Sequence, residues 1–290
     1  INNGGFSAII FFIFAKSYIL KYKHLDASQP IGIFDSGVGG LTNAKEIKRL
    51  MPQEDFIYFG DTKHLPYGDK SKEAIINYSV EIAEFPLKQN CKAIVVACNT
   101  AASNALKEVK EVVGNRALVF DVISPVAEKV AYEIHQNVGV IATKATINSK
   151  LYKKSIKKYN KFINVQELAT PLLVPAIEEG FINHPISRSI IYNYLSNNKL
   201  KDIETLILGC THYPLLMEEI KQYYGTRVRV IDSPNIVANF IQHTLEKYDL
   251  LHKNNPHPKY EFYVSDITKN FQKISKKFFG NKIDLELKTL

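Results

Sequence analysis

From Ile31 onward, short apolar runs alternate with stretches of helical periodicity, and this alternation constrains the chain more than any other feature. Ile31-Gly-Ile-Phe34, Phe56-Ile-Tyr-Phe59 and Ala93-Ile-Val-Val-Ala97 have the length and content of strands. Leu41, Ala44, Ile47 and Leu50 recur at helical spacing. Residues 74–87 and 101–113 also read as helices, the former bent or ended by Pro86. Further strand-like runs are 138–141, 205–208, 228–231 and 261–264. Strands alternating with helices predict βαβ units and mainly parallel sheets. Continuous rather than alternating Val/Ile/Leu runs predict strands buried on both faces. At 290 residues the chain has room for about two such units.

Residues 1–29 stand outside this pattern and are read as an extension. Their apolar run, residues 8–15, is ended by Lys16 and is shorter than the ~20 residues a spanning helix needs. It also lacks the basic flank and cleavage site of a secretory signal. The net charge of +8 admits a nucleic-acid partner or an anionic small molecule. The densest basic run, residues 150–161, has no base-reading module around it. It reads as a solvated helix face, and a nucleic-acid partner is not expected. Three cysteines, Cys91, Cys98 and Cys210, lack the spacing of a metal motif and suit a reduced, cytoplasmic chain.

Two of those cysteines occupy matching positions. Val95-Val96-Ala97-Cys98-Asn99-Thr100 and Ile207-Leu208-Gly209-Cys210-Thr211-His212 each run from a buried strand through a small residue to a Cys and then polar residues. Ligands of open α/β sheets bind beyond the carboxyl ends of strands. A helix amino terminus after each sulfur would lower its thiol pKa toward neutrality. A Cys after a buried strand is also often a small core residue. The pair with matching polar flanks favours chemistry, whereas Cys91, at a helix-to-strand junction, reads as structural. Asp35-Ser36-Gly37-Val38-Gly39-Gly40 follows the first strand without dinucleotide or Walker spacing, yet offers backbone N–H groups to an anion. Asp35 suits either assistance to a base or a helix cap. Pro66-Tyr67-Gly68 is a turn able to close over a ligand, and Thr143 and Thr146 suit a cap after the strand ending at Ala142.

Taken together, Asp35-Ser36-Gly37-Val38-Gly39-Gly40, Pro66-Tyr67-Gly68, Ala97-Cys98-Asn99-Thr100-Ala101 and Gly209-Cys210-Thr211-His212-Tyr213-Pro214 resemble, in order and spacing, the cofactor-independent two-cysteine glutamate racemases. The resemblance runs from about Ile31 to the carboxyl terminus. It implies interconversion of L- and D-glutamate, supplying D-glutamate for peptidoglycan, with no cofactor, no metal and no membrane partner. Cys98 and Cys210 would sit on opposite faces of the substrate Cα. Asp35 and His212 would assist the thiols, with Glu178 accompanying His212. Asp35, Ser36, Tyr67, Gly68, Asn99, Thr100, Thr143, Thr146, Thr211 and His212 would contact or position the amino acid.

The fold implied is two facing α/β domains with mainly parallel sheets, 30–121 plus 235–290 and, inserted, 122–234, with the site between them and a homodimer expected. Asp232-Ser233-Pro234 and Lys63-His64-Leu65 depart from the usual pattern, touching hinge geometry and access to the site respectively. A racemase of aspartate is the near alternative. A single-thiol hydrolase or transferase and a non-catalytic anion binder are the distant ones. Mechanistically, one unprotonated and one protonated group can exchange a proton across Cα without moving. Pre-placed donors such as Asn99, Thr100 and Thr211 would stabilise the carbanion.

Overall fold

The computed structural model describes residues 22–133, 136–280 and 283–290. Most of the extension, with its apolar run at 8–15, lies outside the described residues. The first part of the chain alternates β1 (Ile31–Asp35), α1 (Leu41–Leu50), β2 (Phe56–Gly60), α2 (Lys72–Lys88), β3 (Ala93–Val96), α3 (Asn99–Val113) and β4 (Leu118–Asp121). α4 (Ser124–Tyr132) leads into β5 (Asn137–Ala142), α5 (Lys144–Ser149), α6 (Leu151–Tyr159), β6 (Asn164–Ala169), α7 (Leu173–Glu178) and α8 (Pro185–Leu195). β7 (Thr205–Gly209), α9 (Met217–Tyr224), β8 (Arg229–Ile231) and α10 (Ser233–Lys247) follow. The chain closes with β9 (Tyr260–Val264), α11 (Lys269–Phe279) and β10 (Glu286–Leu287).

The strands form two sheets, ordered β10-β9-β2-β1-β3-β4 and β6-β5-β7-β8. Every pairing in both is parallel. β1, β2 and β3 are buried along their whole length, as unbroken apolar runs require. Four differences from the sequence reading have physical reasons. β4 and β6 escaped it because both are edge strands whose apolar runs are broken, β4 ending in Asp121 and the half-exposed β6 carrying Asn164, Gln166 and Glu167. β10, with two exposed residues, carries no apolar signal at all. α2 runs through Pro86 to Lys88 instead of ending there. Pro86 lies in the last turn, where its missing N–H removes the helical bond to the Ile82 carbonyl, and it packs on β1. A Cβ on Gly32 would lie 2.4 Å from Pro86 Cβ, so Gly32 is what lets this helix approach the sheet.

Each sheet reverses direction at its first strand. β1 pairs with β2 on one side and β3 on the other; β5 pairs with β6 and β7 in the same way. A parallel sheet opens a crevice at such a switch point, beyond the strands' carboxyl ends. Cys98 follows β3 at the first switch point, and Cys210 follows β7 at the second. α10 begins at Ser233, takes Pro234 into its first turn, and packs on both α1 and α4.

Candidate active site

The loops beyond β1, β3, β5 and β7 line one cleft. Cys98 and Cys210 both line it, 5% and 7% exposed, with Ser36, Tyr67, Gly68, Asn99, Thr100, Thr143, Glu178, Thr211 and His212. Of the residues expected at a site, only Asp35 and Thr146 lie behind the wall. Thr146 accepts from Thr143 Oγ1 at 3.0 Å and lies 3.4 Å from Thr100 Oγ1. Thr143 is at once the N-cap of α5 and part of the cleft.

The two cysteines differ in their surroundings. Cys98 is itself the N-cap of α3: its Sγ accepts from the Ala101 N–H at 3.4 Å. The thiol donates to Ser36 Oγ at 3.4 Å. The expected lowering of this thiol by the helix terminus is not what the site produces. Burial, reinforced by the Asp35 charge, pushes Cys98 up to about 12 against the opposing hydrogen bonds from Ser36 and Ala101. Desolvation of a thiolate outweighs a single helix end.

Cys210 has no α-helix directly behind it. Pro214 helps set a 3₁₀ turn, Tyr213–Leu216, and α9 begins only at Met217. A histidine stands in place of the helix end. His212 Nδ1 lies 3.8 Å from Cys210 Sγ, and its Nε2 is 3.0 Å from Glu178 Oε1. Burial opposes a charged imidazole. The hydrogen bonds to Cys210 and Glu178, with their charges, overcome it and hold His212 up at about 10. Phe278 closes the far side of the ring, edge to face at 5.0 Å.

The glycine loop also differs from expectation. Its amides serve an internal anion: Gly37 and Gly40 N–H donate to Asp35 Oδ2 at 3.2 and 3.0 Å. Asp35 is fully buried, and burial raises its carboxyl above the usual range despite the His212 charge and these bonds. Among the described residues its Oδ1 has no hydrogen-bond partner. Gly39 is needed for close approach, since a Cβ there would stand 2.4 Å from His212 Nδ1 and 2.5 Å from Thr211 Oγ1. This is where the β1 loop of one sheet meets the β7 loop of the other. Thr42 Oγ1 donating to Thr211 O (3.2 Å) and Asn99 Nδ2 donating to Tyr152 OH (2.8 Å) join the same two halves.

Leu65, Asp69, Lys144, Thr170, Pro171, Val174 and Pro175 complete the wall and were not read from the sequence as site residues. Thr170 and Pro171 follow β6, so missing that strand hid them. Lys144 Nζ reaches Asp69 Oδ1 at 3.3 Å across the mouth, a pairing that only the tertiary fold creates. Tyr67 is fixed from behind by donating to Asp61 Oδ2 at 2.6 Å. His64, from the unusual Lys63-His64-Leu65 segment, bonds the same carboxylate and stacks on Tyr78 at 4.3 Å. Cys91 is buried beneath β1, its thiol pushed up to about 12 by burial and then by Glu261, as a structural residue should be. Among the described residues, no three His, Cys, Asp or Glu side chains come together to hold a metal ion.

Two parallel sheets that each bring a cysteine to one cleft define a class. Residues 45–241 match the Asp/Glu/Hydantoin racemase family, and the chain belongs to it: it is an isomerase of the racemase type. Within that family it stands among the glutamate racemases. It is 41% identical over 263 residues to "Glutamate racemase" of Neisseria meningitidis serogroup A, covering 90% of this chain and 97% of that one. It is 44% identical over 260 residues to that of Thermoanaerobacter pseudethanolicus, covering 89% and 96%. It superposes on the crystal structure of glutamate racemase from Francisella tularensis in complex with D-glutamate with a TM-score of 0.85. That match has 39% identity and covers 91% of this chain and 98% of that one. No helix among the described residues is long and apolar enough to cross a membrane.

Proposed function

We propose that this chain interconverts L- and D-glutamate by moving a proton across Cα between Cys98 and Cys210, supplying D-glutamate for peptidoglycan. The observation that carries the reading is the placement of each cysteine at the switch point of its own sheet, both lining one cleft.

The resting protonation follows from the surroundings. Cys98, pushed up to about 12, keeps its proton and donates it to Ser36. Beside Cys210, His212, anchored by Glu178, stands 3.8 Å from the sulfur, within reach to exchange a proton with it. The Cys210 thiolate takes the Cα proton from one face while the Cys98 thiol delivers its own to the other. The reverse turnover starts from the opposite protonation state, so one thiol is always loaded and the other empty. Carbanion charge spreads into the α-carboxylate. Asn99 and Thr100, whose first-turn amides in α3 are free of helical partners, and Thr211 line the cleft and would receive it. Near-complete burial of both sulfurs strengthens these interactions by keeping water out. Lys144 at the mouth is the cation suited to the side-chain carboxylate.

The same reading takes 30–121 with 235–290 and 122–234 as two domains closing on the substrate, in a cytoplasmic homodimer; light scattering tests the dimer. The activity is tested by proton NMR in deuterium oxide with purified protein and no pyridoxal phosphate. The α-proton of either glutamate enantiomer should wash out while optical activity decays. Exchange on aspartate at an equal rate would shift the substrate assignment, and an unimpaired Cys98→Ala protein would overturn the mechanism.

A further inference from the structure

The basic run that reads as a solvated helix face has a more particular geometry. Lys150, Lys153, Lys154, Lys157, Lys158 and Lys161 are all exposed. Within α6, Lys153, Lys154, Lys157 and Lys158 fall within an arc of about 140° at 100° per residue, and Lys150 and Lys161 flank the helix at its two ends. The opposite face is anchored by buried Tyr152 and Ile156, and α6 packs on α4. From Lys150 to Ile163 the sequence holds no acidic residue. Among the described residues none of the six lysines forms a salt bridge. The nearest carboxylates are Glu167, beside Lys150 and Lys153, and Glu128, bonded to Tyr159.

Large apolar rings are presented at the end of this stripe. Phe162 is 85% exposed and Tyr132, at the end of α4, is 67% exposed. The Phe162 ring is held outward: its N–H donates to Asn160 Oδ1 at 3.1 Å, Asn160 Nδ2 donates to Ala131 O at 3.5 Å, and the next residue, Ile163, is buried. Lys161 Nζ stands 5.1 Å from the Phe162 ring centre.

We propose that this face docks peripherally and reversibly on an anionic phospholipid bilayer, with the lysines against headgroup phosphates and Phe162 and Tyr132 in the interfacial layer. Clustered lysines beside exposed aromatics match the two forces that hold a surface helix to an anionic membrane. A second copy of the chain is disfavoured, because a two-fold contact would set this uncompensated charge against itself. A single-stranded nucleic acid is disfavoured too. The stripe is a convex helix face without a groove to track a backbone, and Tyr132 and Tyr159 pack on each other at 5.8 Å instead of offering open ring faces. The proposal is independent of the chemistry in the cleft.

Co-sedimentation with vesicles tests it, using phosphatidylglycerol mixed into phosphatidylcholine against phosphatidylcholine alone, at low and high salt. The protein should bind only the anionic vesicles and be released by salt. Replacing four lysines together (Lys153→Gln, Lys154→Gln, Lys157→Gln, Lys158→Gln) should weaken binding roughly 100-fold or more. Phe162→Ser should weaken it about three- to tenfold and leave the salt dependence unchanged. Both variants should keep wild-type amino-acid turnover and circular dichroism, which separates lost docking from lost folding. Equal binding to both vesicle types, or an unaffected Phe162→Ser protein, overturns the proposal. So does tighter retention on a single-stranded oligonucleotide at equal salt, or a change in mass on Phe162→Ser without lipid.

Discussion

The two cysteines sit at equivalent places in two similar sheets, and their neighbourhoods are built differently. Cys98 caps a fifteen-residue helix, donates a hydrogen bond to a serine, and lies over a buried carboxyl group. Cys210 precedes a 3₁₀ turn and leans on an imidazole that is itself held by a glutamate. One neighbourhood buries a thiol beside a carboxyl group, and the other sets the sulfur beside an imidazole held by a carboxylate.

The largest expected effect treats both halves alike. Cys98→Ala and Cys210→Ala should each cost about 10²–10⁴-fold or more in racemisation, read by optical rotation. Retained activity in one of them would break the pairing outright. The next separates the halves. His212→Asn should cost about 10²-fold in kcat and abolish the alkaline limb of the pH–rate profile, which in the wild type follows loss of the His212 proton near 10.

The same residue ties stability to pH. His212 holds its proton more tightly when folded than when unfolded. Its stabilisation is therefore complete below the unfolded value of about 6.5 and is lost as pH rises through about 10. Denaturant midpoints of wild type and His212→Asn should converge across that window. Asp35→Asn acts on the other half. It removes the charge that adds to burial, so Cys98 thiolate absorbance should appear below pH 12, and the His212 limb, which loses a neighbouring anion, should move slightly lower.

Gly39→Ala tests the seam itself. The new methyl would drive into His212 and Thr211, costing about 1–3 kcal/mol in denaturant unfolding and more kcat on the Cys210 side than on the Cys98 side. Asp69→Ala is the smallest change. Its pair with Lys144 is more than half exposed, so stability should shift by less than about 1 kcal/mol, while KM for glutamate responds to the freed lysine.

Sequence periodicity made the alternating architecture legible, and the strand–Cys–polar repeat made both sulfurs legible. Their electrostatics were not. A helix terminus can be read from Asn99 onward, but burial of Cys98 among residues far apart in the chain cannot, and burial sets the sign of its shift. Pro214 in His212-Tyr213-Pro214 was the local signal that the second cysteine lacks an α-helix at its back. Asp35 looked like a ligand for substrate or a cap. Its amide partners, Gly37 and Gly40, were in view as a loop that would hold a foreign anion. Thr170 and Lys144 were hidden for different reasons, one behind an unrecognised edge strand and one by a partner, Asp69, that only folding brings near.

The strand order of the larger sheet bears on how the chain is made. β2 waits for β9, so its open edge is satisfied only when the last part of the chain has left the ribosome. Until then the smaller sheet, whose four strands emerge consecutively, is complete beside an unfinished neighbour. A nascent chain stalled after β8 would carry both sulfurs and still expose a sticky β2 edge, making translation from β8 to β9 the interval when chaperone protection counts most.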